Sequence, residues 1–516
     1  MRSSFSPRVN FQRNGRFWGS QTEARGGLMP SAQLDNQQDF SYILDNLVNA
    51  RRDFGNHSFT LTGLHSMQYD RYENSSIRVN NLPFNSSFYN LGSSANREIA
   101  ASGFQQISLI SYMGRLNYAF RDRYLVTLAT RWDGSSKLAP GHKWASFPSA
   151  AVAWRLSEEA FLKNVAAISD LKLRLSAGVS GNNNISPYET QANLSAPAFY
   201  DFGGTIALGY SPSRLANSSL TWEKTREYNL GLDHAWFMGR ISGSIDVYDK
   251  LSRGLLMLRD LPFETGFPNI RDNVGSVSNK GVEVSLRTFN ISTNDFTWTT
   301  TFNFSRNRNA IVELLGKQED LVSNRWFIGQ PINVNFTYLF DGIWQESERD
   351  EALKYRQLPG QAKVQDTNND GLINVADMGI IGNPDPSWMG GFSTQLSFKG
   401  FDLAASLFTR QGVQVLSPFH QEFVNLNDRG RAKLDVDYYM APNSVTQARA
   451  SNEYPQPANV GPYWTAVGYY RDASFVKVQN IMLGYNLPSS LLERARVRSL
   501  RVYTNVLNPF VFTRYD

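Results

Sequence analysis

The sequence contains no cysteine among its 516 residues. That absence removes disulfide frameworks, thiolate metal sites and cysteine-based catalysis together. An oxidising envelope compartment is compatible with it but not established by it. Long apolar runs are missing too: no stretch approaches the roughly 18 residues that a membrane-crossing helix requires. Histidine is scarce, with five copies (His57, His65, His142, His234 and His420) scattered without metal-ligand spacing. A dominant charge is lacking as well. Fifty-one basic and 46 acidic residues leave a net +5, with no basic block of the kind that grips nucleic acid. The opening residues, Met1 to Arg8, have no apolar core of a signal peptide. An exported protein carries one, so the chain is expected to be a piece of something longer.

Aromatic residues, by contrast, are abundant. They make up 13% of the chain, with 23 Tyr, 33 Phe and 11 Trp. A mean hydropathy of −0.38 describes a soluble protein. That reading fails for membrane barrels, whose lumen-facing polar residues alternate with lipid-facing apolar ones and average to neutral. Barrels also use aromatic side chains as interfacial girdles.

Period-two alternation recurs throughout. In Phe296 to Ser305 the even positions carry large apolar groups and the odd positions carry Thr297, Thr299, Thr301, Asn303 and Ser305. In Leu171 to Val179 one face is apolar and the other holds Lys172, Arg174 and Ser176. The same reading gives strands over Tyr112–Phe120, Tyr124–Trp132, Ile241–Asp249, Val282–Leu286, Phe392–Phe398 and Phe401–Thr409. The segment Phe475 to Tyr485 changes face partway, which predicts a bulge or a misplaced strand. Many segments reach the roughly 9–11 residues that cross a tilted bilayer, longer than soluble strands usually run. About fifteen of them exceed what an open twisted sheet holds comfortably, so closure is the expected solution.

The connections separate a barrel from a sandwich or propeller. Arg121-Asp122-Arg123, Met238-Gly239-Arg240 and Lys399-Gly400 are tight turns. Between them lie long polar connections: Asp133–Phe147, Gly181–Thr221, Leu251–Gly275, Asn307–Gln330, Trp344–Ser387 and Gln411–Tyr463. Structureless loops of that size are uncommon in compact soluble domains. Short turns at one end and long loops at the other are the arrangement of outer-membrane barrels.

Several stretches, in order along the chain, resemble the SusC/RagA family of TonB-linked outer-membrane transporters. They run from Ser111–Tyr118, Asp122-Arg123-Tyr124 and Arg131–Ser136 through Phe147-Pro148-Ser149 and Trp154-Arg155. Leu171–Arg174, Gly178–Asn182, Trp222-Glu223-Lys224 and Asn279–Glu283 follow. The most specific run is Ile381–Pro384, Gly390-Gly391-Phe392 and Lys399–Leu403, with Val476–Asn480, Leu483-Gly484-Tyr485 and Asn505–Asn508 near the end. The resemblance implies an all-β, antiparallel transmembrane barrel, incomplete at roughly fifteen of about 22 strands. It implies periplasmic turns, extracellular loops and a place in the bacterial outer membrane. Residues 1–516 then read as a partial barrel domain, without the signal peptide, TonB-contacting segment, plug and closing strand that family members carry. The implied partners are the TonB system, a SusD-like surface lipoprotein and outer-membrane lipid; the implied cargo is oligosaccharide or peptide.

One loop has a chemical pattern of its own. Within 345–386, Asp366, Asn368, Asp370, Asn374 and Asp377 fall at positions 1, 3, 5, 9 and 12 of an EF-hand-like Ca²⁺ loop, with Gly371 at 6. The carbonyl of Leu372 would complete the oxygen set that a hard cation wants. Asp in place of Glu at position 12 shortens the last ligand. The plainer reading is an Asn/Asp/Gly surface turn without an ion. If occupied, the site would be structural, and transport itself implies no cofactor. No catalytic arrangement stands out, and an enzyme is not expected. His234, beside Leu230, Leu232 and Trp236, fits a girdle better than a metal ligand. Tyr200, Phe202, Trp344, Trp388 and Trp464 could stack on sugars or anchor at an interface. Two alternatives to a nutrient importer remain open on sequence: a barrel-anchored surface adhesin, and an exported soluble carbohydrate-binding β-protein.

Overall fold

The computed structural model describes residues 1–424, 434–441, 450–457, 459–493 and 496–515. Fifteen strands form one antiparallel sheet in which each strand pairs with the next in the chain. They are β1 (Arg2–Trp18), β2 (Ser31–Phe54), β3 (His57–Asn80), β4 (Asn96–Phe120), β5 (Tyr124–Ser135), β6 (Trp144–Arg155), β7 (Ile168–Asn182) and β8 (Glu223–Trp236). Then come β9 (Ile241–Arg253), β10 (Ser276–Ser292), β11 (Phe296–Glu313), β12 (Trp388–Phe398), β13 (Phe401–Gln411), β14 (Phe475–Asn486) and β15 (Arg501–Thr513). The chain divides into two compact units. One comprises Met1–Glu159, Lys172–Leu230 and Lys250–Ser276; the other comprises Ala160–Leu171, Gly231–Asp249 and Val277–Asp516.

The alternation read from sequence is the alternation of the ladder. Trp298 pairs with Leu396, Phe302 with Phe392 and Phe304 with Gly390, so one face of β11–β12 is mostly apolar and aromatic. An apolar face open to solvent would be costly; turned to lipid it is the stable arrangement. In the first unit the row Phe120, Tyr124 and Trp154 crosses three strands, with both ring separations 6.3 Å. Beneath it Glu159 accepts from the Tyr124 hydroxyl at 2.7 Å and from the Trp154 indole at 3.0 Å. This is an aromatic girdle tied down at the short-turn end. His234 belongs to a similar device in the second unit, accepting from Trp236 Nε1 at 3.0 Å.

The turn chemistry is equally local. Lys399 and Gly400 join Phe398 to Phe401 with φ of 45° and 91°. Two consecutive positive φ values define the primed hairpin turn whose twist matches the strands. A Cβ at Gly400 would also stand 2.9 Å from the Asn486 carbonyl. The expected bulge in the Phe475–Tyr485 segment is present. Ser406 pairs with Asn480 but Leu407 with Val478, so Gln479 is the extra residue that flips the face.

Two sequence expectations change. Strands β2, β3 and β4 run 24, 24 and 25 residues, more than twice a membrane crossing. At ~3.4 Å per residue they extend about 80 Å, so their outer halves must stand in water. Polar residues on both faces there, such as Asp70 to Ser76, hide the alternation while pairing one for one with Ala101–Ile107. The long connections, in addition, are folded. Asn193–Phe202 pairs with Thr205–Arg214, and Leu256–Asp260 with Asn269–Asn273. Within the second unit, Asn335–Tyr338 pairs with Met378–Gly382, Phe340–Ile343 with Ala362–Val364, and Gln414–Leu416 with Tyr470–Asp472. These pieces enclose their own core of Ile343, Ala362, Val424, Tyr439, Trp464 and Tyr469. Trp344 and Trp464 are 3% and 4% exposed, so neither stacks on a sugar nor anchors in a membrane. Trp464 lies in that core and Trp344 donates to Gln357 at 2.9 Å, so the loop itself supplies the contacts that hold its shape.

Candidate functional site

In the second unit the polar face of β9–β12, at the end of the strands where the long connections begin, encloses a cleft of about 630 Å³. Its wall is an amide array. Asn279 Oδ1 accepts from Asn307 Nδ2 at 2.9 Å and from Asn309 Nδ2 at 3.0 Å. Asn307 Oδ1 in turn accepts from the Tyr248 hydroxyl at 3.2 Å. Asn309 Oδ1 takes the Ile332 backbone N–H at 2.9 Å, which fixes the connection after β11 against the strand. Gly281 makes this possible. A Cβ there would collide with the Tyr248 ring, and with the Arg306 carbonyl at 2.6 Å. Trp388 and Asp385 close one side of the cleft, and Arg306 and Arg308 also line it. A second hollow of about 470 Å³ shares Glu283, Ser305 and Met389 with the first, and Gly390 and Gly391 lie in its lining.

Chemically this lining suits recognition. Side-chain amides present donor and acceptor together, suiting hydroxyl-rich or amide-rich ligands, and Tyr248 and Trp388 add flat apolar faces. Among the described residues, Ser417 and His420 pair a hydroxyl with an imidazole, their Oγ and Nδ1 2.8 Å apart. Ser417 is fully buried and its oxygen caps the following helix, so a substrate has no way to it. The alternation of β9–β12 placed these residues on the inward side; their convergence depended on register and on Gly281, which spacing alone does not reveal. Of the loop aromatics expected to be accessible, Trp388 lies here. Tyr200 and Phe202 sit at the tip of the Asn193–Arg214 hairpin, 65% and 67% exposed.

The predicted Ca²⁺ loop divides into two parts. Asp366, Asn368 and Asp370 gather round the Gly371 turn, where Gly371 has φ 81°. Asp366 Oδ2 accepts the Gly371 N–H at 2.8 Å, and Asp370 Oδ1 accepts the Leu372 N–H at 2.8 Å. Asp366 Oδ1 is buried without a hydrogen-bond partner. Asp377 does something else. Fully buried, it takes the Thr367 N–H at 2.9 Å on one oxygen and the Asn374 N–H at 2.8 Å on the other. Burial works to raise its pKa, but the N–H donors of Asn374, Thr367 and Asn368 prevail and hold the carboxyl below its ordinary value. Asn374 accepts from Ala376 N at 2.9 Å and caps the short turn that follows. Among the described residues, no group of three or more Asp, Glu or His side chains is placed to hold a metal ion.

A long antiparallel meander with an aromatic-banded apolar face, a polar inner face and tight turns alternating with folded loops defines an outer-membrane β-barrel. Residues 2–508 match the family model described as TonB dependent receptor-like, beta-barrel, and the chain belongs to that family. It is 31% identical to a TonB-dependent receptor of Formosa agariphila over 97% of this chain and 51% of that one. It is 32% identical to the TonB-dependent receptor SusC of Bacteroides thetaiotaomicron, over 79% of this chain and 41% of SusC. The solved structure of the RagAB peptide transporter superposes with a TM-score of 0.83 at 22% identity, over 99% of this chain and 56% of that one. The chain spans about half the length of the curated relatives it matches. Its place is the outer membrane.

Proposed function

We propose that this barrel belongs to a TonB-dependent importer of large nutrients, oligosaccharides or peptides, that works with a SusD-like surface lipoprotein. The observation that carries the reading is the amide-lined cleft at the loop end of the inner face. Its walls pair with hydroxyl and peptide groups without demanding a charge. A peptide transporter among the structural relatives supports peptide as a class of cargo, and TonB-dependent receptors among the sequence relatives support the dependence on TonB. The exposed apolar hairpin supports a protein partner. Phe199, Tyr200, Phe202, Ile206, Leu208 and Tyr210 are all more than 60% exposed, a surface that a docked protein would cover. The direct test is uptake by cells carrying the intact protein, with and without TonB. Uptake that persists without TonB, or that survives Asn307→Ala and Tyr248→Ala together, refutes the reading.

The same loop layer supports weak Ca²⁺ binding by Asp366, Asn368 and Asp370, with the Leu372 carbonyl; Asn374 and Asp377 complete the set predicted from sequence. The free Asp366 Oδ1 favours this reading, and the commitment of Asp377 to backbone N–H groups limits affinity to the ~10⁻⁴–10⁻³ M range of extracellular modules. A bound ion would pin the loop; import would not pass through it.

A further inference from the structure

The outward face of the first unit carries a groove that the import function does not use. It measures about 740 Å³, and its residues come from β3 to β8. Gly114, Thr130, Pro148, Ala150 and Ala177 form its floor, all small on a face otherwise built from large apolar groups. Their register is continuous: Gly114 pairs with Thr130, Thr130 with Pro148, and Ala150 with Ala177. One residue pair to one side stand Leu116 and Leu128; one pair to the other stands Trp132. Tyr228 and Arg226 close the far end on β8.

The groove is oblique to the membrane. Gly114 lies six residues from Phe120, the turn-end terminus of β4. Arg226 lies ten residues from Trp236, the turn-end terminus of β8. The β8 end is therefore four residues, roughly 13 Å of strand, nearer the outer surface than the β4 end. From β4 to β8 it crosses five strands, about 19 Å at the usual spacing. Its deep end is lined mainly by apolar groups, Leu61, Leu116 and Leu128 among them, and its shallow end is cationic. Arg226 lies over the Tyr228 ring at 5.1 Å, and Lys224, two residues nearer the loops, is exposed on the same face. Glu223 and Glu227, on the opposite face of β8, are spent elsewhere, on the Leu256 N–H and on Lys250 at 3.2 Å. Among the described residues, neither Lys224 nor Arg226 has an ion-pair partner.

We propose that this groove seats one acyl chain of the phosphorylated glycolipid of the outer leaflet, with its phosphate held by Arg226 and Lys224. A descending apolar slot below a pair of unpaired cations matches a ligand with an anionic head at the surface and a chain in the hydrocarbon. Arginine suits the head because its fork meets phosphate in a bidentate way. The small floor residues are the specificity element, since each larger side chain would fill the space the chain needs.

The intact protein, purified from outer membranes in mild detergent, tests this by native mass spectrometry with chemical analysis of the retained lipid. The expected result is about one phosphorylated glycolipid per protein. Lys224→Gln with Arg226→Gln should lower that retention at least tenfold. Gly114→Leu should lower it similarly by filling the floor; a Cβ there meets nothing within 4 Å, so the barrel should fold. Heat-modifiable migration on a cold gel verifies folding of each variant. Equal retention by wild type and both variants overturns the proposal. So does a glycerophospholipid, or the acyl chain of a lipid-anchored protein, as the retained molecule.

Discussion

Asp377→Asn separates the two roles that a carboxylate in the 366–377 loop can have. In the wild type both Asp377 oxygens are acceptors, at 2.9 Å from Thr367 N and 2.8 Å from Asn374 N, inside a fully buried site. Asparagine keeps one acceptor and turns an NH₂ toward a backbone N–H. One charge-assisted bond becomes neutral and the other becomes a buried donor facing a donor. Hydrogen bonds to charged groups contribute about 1.5–3 kcal/mol, and an unsatisfied buried group costs about 1–3 kcal/mol. A local loss of about 3 kcal/mol follows, equivalent to ~100-fold more frequent opening of the loop. Hydrogen exchange of Thr367 and Asn374 amides in the membrane-embedded protein reads this directly, and the barrel strands should keep wild-type protection. The effect should be the same with calcium or with chelator, because the lost partners are backbone. The sign with pH follows from the depressed pKa. The stabilisation is present above the unfolded value near 3.8 and is lost as pH falls through the lower folded value. Acidification below about pH 4 should therefore loosen the wild-type loop and leave the mutant little changed. Wild-type protection of Thr367 and Asn374 in Asp377→Asn would refute the assignment.

Three further outcomes are expected. Asp370→Ala should raise protease sensitivity of 344–387 only when calcium is present, matching chelated wild type; identical digestion with and without chelator would leave a turn without an ion. Tags at Gly239 and Gly400 in the intact protein should be inaccessible on whole cells, and tags at Gly204 and at Phe263, which is 96% exposed, should be labelled; the reverse pattern would invert the topology. Gly281→Val should cost about 1–3 kcal/mol by overpacking Tyr248 and the β11 backbone, and should weaken cargo binding more than it weakens barrel stability. Calorimetric binding that matches wild type would dissociate Gly281 from the site.

Much of the fold was readable because a barrel strand has two environments and alternates between them. Phe302 and Asn303 could be assigned to opposite faces from sequence alone, and the ladder agrees. Even the face change in β14 was visible, since a single inserted residue shifts every later side chain. The pattern failed where both faces meet water. Asp70 to Ser76 pair as regularly as any membrane segment, yet nothing in their polarity distinguishes strand from loop. The family landmarks were legible as words before they were legible as physics. Asn279-Lys280-Gly281-Val282-Glu283 is the wall of the cleft: an amide that takes two donors, a glycine that admits Tyr248, and a carboxylate shared by two hollows.

The loop residues show the opposite limit, because residue type states what a group needs but not who supplies it. A tryptophan in a long connection needs apolar contact, which a sugar, a membrane or the loop itself can provide. For Trp464 the supplier is the loop, through Ile343, Tyr439 and Tyr469. A carboxylate at the twelfth position of an oxygen-rich turn needs positive charge or N–H donors. For Asp377 the donors are Thr367 and Asn374, which the same tight turn brings round to it. Both cases have one cause: a connection long enough to fold internally satisfies its own groups before a ligand can. Trp388 and Asp366 are different. The first stays partly open beside the cleft, and the second keeps an oxygen without a partner. What the loop has not satisfied from within is what it leaves open to a ligand.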